Sequence, residues 1–145
     1  MKFSRLSIAE LKSLEKEFVE FLAVNGIDSD YWVTLKKEEL SKAEDLIDVF
    51  SDLVWQKSID KIKFLEHRTA TSLKLFKCEN AFIELVGIDG DIKEFKAEIN
   101  NGNKFAIYHH KKDYSPNRDQ ELFGMVKTGC SITDENLFNT IKKWV

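Results

Sequence analysis

Beside its 25 Asp and Glu, few residues in this chain have the chemistry for acid–base work or metal binding: three histidines, His67, His109 and His110, and two cysteines, Cys78 and Cys130. Neighbouring residues on a strand point to opposite faces, so His109 and His110 cannot both serve one ion. At most one of them joins His67. A set of His67, one of the pair and a carboxylate such as Glu66 or Asp113 has acceptable ligand chemistry, although Glu66 alternates away from His67 on a shared strand. Tyr114 and Arg118 follow closely, and Glu66, His67, His109, Tyr114 and Arg118 together form the candidate small-ligand or enzyme site. Exposed or hydrogen-bonded histidines are the plain alternative. Cys78 and Cys130 lack CxxC spacing and finger-distance partners, so they read as reduced, buried thiols rather than a disulfide or zinc framework.

Carboxylates supply a sharper anomaly. Glu44, Asp48 and Asp52 fall at i, i+4 and i+8 of a predicted helix, a like-charge ridge that costs an isolated helix about 0.2–0.5 kcal/mol per pair. Asp45 widens it, and no Lys or Arg lies between Ala43 and Gln56. Either the ridge is solvated or paired with Lys and Arg from the basic second part of the chain, or it is an interaction surface for a protein partner with a basic surface. A weaker pattern is the run from Lys111 to Asp119, where cations and a helix start could hold an anion. Asp119 would occupy that same positive end, and capping by Ser115 is the simpler role. Glu94 and Lys96 have the spacing of a nuclease half-site, but they fall in a predicted helix with no Pro-Asp strand before them.

Standard catalytic signatures are missing. The glycines at 26, 87, 90, 102, 124 and 129 form neither GxxxxGK[ST] nor GxGxxG, and no GxSxG, HExxH or PCxxC is present. No catalytic residue, metal or cofactor is assigned. The chain has 145 residues, 43% hydrophobic and 32% charged, which predicts one soluble domain over residues 1–145. Apolar runs reach only a few residues, far below the roughly 20 that span a bilayer. Charges at Glu10 and Lys12 interrupt the apolar stretch of a secretory signal, so a cytoplasmic location is expected. Net charge is −3, unevenly spread: residues 1–60 hold eight Lys and Arg against thirteen Asp and Glu, and the remainder fourteen against twelve. So small a basic excess argues against nucleic acid as a partner.

The elements that must position these residues are legible from periodicity. Ser7 and Glu10 form a capping box, opening a helix that carries Ile8, Leu11, Leu14, Phe18, Phe21 and Leu22 to a stop at Asn25-Gly26. Asp28 or Ser29 caps a short helix with Tyr31, Trp32 and Leu35, and a longer one runs over about 37–57. From Lys61 the period falls to near two, predicting strands at 62–67, 73–78 and 82–88, with a fourth at 105–109. A helix is predicted at 92–99. Ser115 with Pro116 opens the next helix, Gly129 ends it, and Thr133 caps the last, with Ile132 and Leu137 as its staple. Helices, then sheet, then helices predict an α+β fold: N-terminal helices, an antiparallel sheet of three or four strands, and two C-terminal helices.

Short stretches spread over the chain carry a resemblance: Arg5 and Leu6, FVEFLA at 18–23, DVFSDLVW at 48–55, FLEH at 64–67, LFKCE at 75–79, and Tyr114, Ser115 and Arg118. With these the chain resembles an uncharacterised family of small bacterial cytosolic proteins, a domain of unknown function. That resemblance implies no assigned reaction. The leading expectation is a cytosolic interaction or adaptor module using Glu44, Asp48 and Asp52. The alternative is a ligand-binding protein or enzyme with its site near His67 and Tyr114.

Overall fold

The structure, a computed structural model, describes residues 1–90 and 106–145. These divide into two units, Met1–Ser58 and Ile59–Val145. The helix predicted at 92–99, with its Glu94 and Lys96, lies outside the described residues, as does Phe105. The described residues form an α+β fold: helices with a five-stranded antiparallel sheet. None of its described helices is long and apolar enough to cross a membrane.

The first unit is helical. Ser7 accepts the Glu10 N–H and Glu10 accepts the Ser7 N–H, so the capping box forms and α1 spans Ile8–Ser13. The single helix expected up to Gly26 is broken. Leu14 leaves helical geometry at φ −108°, ψ 22°, and α2 spans Glu15–Val24. Beside the break, the Ser13 hydroxyl donates to the Glu10 carbonyl at 2.8 Å, sharing the acceptor that the Leu14 N–H uses. Gly26, at φ +76°, ends α2 as read, with Ile27 N–H returning to the Leu22 carbonyl and Gly26 N–H to Ala23. Asp28 caps α3, Ser29–Glu38, by accepting the Tyr31 N–H at 2.7 Å. Glu39 interrupts the helix, so α4 starts later than expected and spans Leu40–Asp60. Leu22, Ile27, Leu35 and Ala43 form this unit's buried cluster, flanked by Phe18, Phe21, Trp32 and Leu46. Phe18 meets Trp32 edge-on at 5.3 Å and Phe50 at 5.0 Å, spacings favoured for ring pairs.

The second unit holds the sheet: β1 (Phe64–Arg68), β2 (Ser72–Cys78), β3 (Phe82–Asp89), β4 (Ala106–Asp113) and β5 (Ser131–Thr133). Their order is β4-β3-β2-β1-β5, all neighbours antiparallel. β5 adds a fifth strand to the three or four expected; its three residues are too few to display a period. Thr133, expected as a cap, pairs with Phe64, and Asp134 caps the last helix by accepting the Asn136 N–H. Ser115 is likewise not a cap: Asn117 accepts the Gln120 N–H, and α5 spans Arg118–Lys127. The Ser115–Pro116 peptide is cis. Gly129 adopts φ +114° after α5, and Cys130 N–H returns to the Met125 carbonyl, the same helix-ending pattern as at Gly26. The last helix, α6, spans Glu135–Lys142 and lays Phe138 and Ile141 on Leu73, Leu75, Val86 and Ile88.

Candidate functional site

The acidic ridge lies on α4, where one turn per 3.6 residues stacks Glu44, Asp48 and Asp52 along one side. Asp48 and Asp52 are paired by the segment 2–5 of the same unit. Arg5 grips Asp48 with two hydrogen bonds, Nε to Oδ1 at 2.6 Å and Nη2 to Oδ2 at 3.1 Å. That grip holds the Asp48 carboxyl below the usual carboxylate range. Asp52 accepts two successive main-chain donors, Lys2 N–H at 2.6 Å and Phe3 N–H at 2.9 Å. Between them the buried Ser51 hydroxyl accepts the Leu6 N–H at 3.0 Å and donates to the Ile47 carbonyl. The Lys2 ammonium reaches Gln56.

Apolar surface adjoins the ridge. At 100° per residue, Val49 and Leu53 follow Asp52 and Asp45 around the helix, and both are more than half exposed, at 52% and 54%. Leu46 and Val49 help line a shallow depression of about 350 Å³, together with Ile27, Tyr31 and Asp45.

The expected ligand residues do not form one constellation. Strand register puts Glu66, Leu75, Val86 and His109 in one row across the sheet, and His67, Lys74, Gly87 and Tyr108 in the next. Adjacent rows face opposite sides, so His67 and His109 are on opposite faces. Glu66 and His109 share a face but stand three strand spacings apart, about 14 Å. Glu66 meets Arg68 instead, and the His67 ring lies beside Gly129. Tyr114 and Arg118 do come together, as a main-chain tie. Tyr114 Oη donates to the Glu79 carbonyl at 2.7 Å, and burial pushes its phenol up to about 12. Arg118 donates through Nε to that carbonyl, through Nη1 to Ile59 and through Nη2 to Ile62. The thiol of Cys78 is buried as expected and pushed up to about 12, far from a reactive thiolate. Cys130 is half-buried.

One ionic cluster escaped the sequence reading. Glu84, on β3, is 3% exposed, and its Oε2 contacts His109 Nε2 at 2.6 Å and Lys142 Nζ at 2.7 Å. Burial alone would raise its pKa; the hydrogen bonds from Lys142 and His109, with the charges of Lys142 and Lys111, outweigh that and lower it. An ionised Glu84 only accepts, so His109 Nε2 carries a proton and Nδ1 is the ring's accepting nitrogen when neutral. The signal was the alternation itself, which places Glu84 on the inward face with Val86 and Ile88. Lys142 had a sufficient explanation in the dipole of the last helix, which hid its second role. Among the described residues no three His, Cys, Asp or Glu side chains converge to hold a metal ion.

The chain belongs to the DUF6495 family, a family of unknown function, whose profile matches residues 1–145. No curated protein and no solved structure matches it.

Proposed function

We propose that this DUF6495 chain is a protein-interaction module that uses the acidic face of α4 to hold a partner with a basic surface. The observation that carries this reading is the exposed pair Val49 and Leu53 beside Glu44, Asp45, Asp48 and Asp52. Carboxylates alone are a solvated helix face; carboxylates bordering open apolar side chains have the layout of a recognition surface, an apolar patch with a polar rim. An amphipathic helix with leucines on one face and lysines or arginines on the next would meet both stripes.

The test is a titration of isotope-labelled full chain with a synthetic peptide of that design, followed by NMR. Shifts should map to α4, and Val49→Asp or the pair Glu44→Lys with Asp45→Lys should weaken binding by about tenfold or more. Glu44 and Asp45 are chosen because reversing Asp48 or Asp52 would also release the segment 2–6. Shifts elsewhere, or affinity unchanged by these variants, would refute the reading.

A further inference from the structure

We infer that the segment 2–5 is a displaceable occupant of the α4 face, and that the partner it yields to presents an arginine two residues after a pair of main-chain N–H donors. This rests on the interaction reading and specifies its partner. The two carboxylates grip different chemistry. Asp52 spreads its oxygens over the successive N–H groups of Lys2 and Phe3, Oδ2 to the first and Oδ1 to the second. Consecutive N–H groups turned to one anion form a main-chain cradle, which any sequence can supply. Asp48 takes the guanidinium fork of Arg5, a geometry that a lysine ammonium cannot reproduce. The receptor therefore reads a backbone cradle and, at a fixed offset, an arginine.

Burial grades this segment from anchor to latch: Leu6 is buried, Phe3 and Ser4 are half-buried, and Lys2 and Arg5 are exposed. Leu6 is 5% exposed and its N–H is held by the buried Ser51, so it stays in place when the preceding residues lift. The Arg5 side chain is 42% exposed and pairs with a half-buried carboxylate, a contact that solvent and competing cations can reach. Detachment from Lys2 to Arg5 would uncover Asp48 and Asp52 next to Val49 and Leu53, joining the two stripes of the proposed surface.

The experiment uses full-length chain and a labelled, end-blocked peptide with the sequence of residues 1–7, read by fluorescence anisotropy. The Arg5→Ala chain, whose own segment has lost its fork, should bind this peptide about tenfold more tightly than the unaltered chain. The Arg5→Lys chain should lie between them. Adding Asp48→Asn to the Arg5→Ala chain, or replacing the arginine in the peptide by alanine, should remove the gain. Melting curves by circular dichroism confirm that each variant folds. Equal affinity of the unaltered and Arg5→Ala chains, or a gain that survives Asp48→Asn, overturns the inference. If that happens while Val49→Asp still weakens the amphipathic peptide, the interaction reading stands and only the occupant idea fails.

Discussion

Replacing Glu84 by Gln keeps the side-chain volume and removes the charge that holds His109 and Lys142. Two charge-assisted hydrogen bonds are lost or weakened, each worth about 1.5–3 kcal/mol. Against this, the His109 and Lys142 side chains are 30% and 44% exposed and regain water when released, so the cost falls below the sum. A destabilisation of about 2–4 kcal/mol follows, or about 5–12 °C in melting temperature for a chain of this size. Differential scanning calorimetry at pH 7 measures it. The effect must also depend on pH, with a defined sign. The folded pKa of Glu84 is lowered, so its contribution is complete above the unfolded glutamate pKa of about 4.3 and is lost as pH falls through the folded value. The gap between the two proteins should therefore close as pH falls toward 3. A Glu84→Gln chain that melts within 1 °C of the unaltered chain at pH 7, or a gap that persists undiminished at pH 3, would refute the reasoning.

Two further perturbations test the second unit. Arg118→Lys replaces a planar fork serving the carbonyls of Glu79, Ile59 and Ile62 by a single ammonium, and should cost about 2–3 kcal/mol in urea unfolding; a loss below about 0.5 kcal/mol would show the tie to be dispensable. Gly87→Ala would drive a Cβ into the Tyr108 ring, so it should cost about 1–3 kcal/mol in the unaltered chain and far less in a Tyr108→Ala background. Equal costs in both backgrounds would put the strain elsewhere.

Residues whose role is local were legible before any fold was known. The Ser7 and Glu10 capping box, the left-handed stop at Gly26 and the three principal strands all follow from neighbours within a few positions. Cap identity near α5 and α6 was misplaced because Ser115, Asn117, Thr133 and Asp134 all have capping chemistry, and the β1 pairing of Thr133 selected between the last two. The candidate site was harder for the same reason. The unrelieved charge at Asp48 was visible in the sequence, but its partner Arg5 lies 43 positions earlier. Glu84 and His109 are 25 apart and meet only once β3 and β4 pair, with Lys142 arriving on a separate helix. Periodicity assigns such residues to faces; pairing decides which of them touch.

The sheet order has a further consequence for how this chain meets others. Among the described residues, β4 and β5 are each paired on one side only. An unpaired strand is a template on which another chain can add its own backbone, by aggregation or by peptide capture. Here β5 offers a three-residue stretch, too short to guide a long ladder, and β4 carries Lys111, Lys112 and Asp113 along its last three positions. Both edges are thus poor seats for an incoming strand. Intermolecular β-ladders are disfavoured at either border of the sheet.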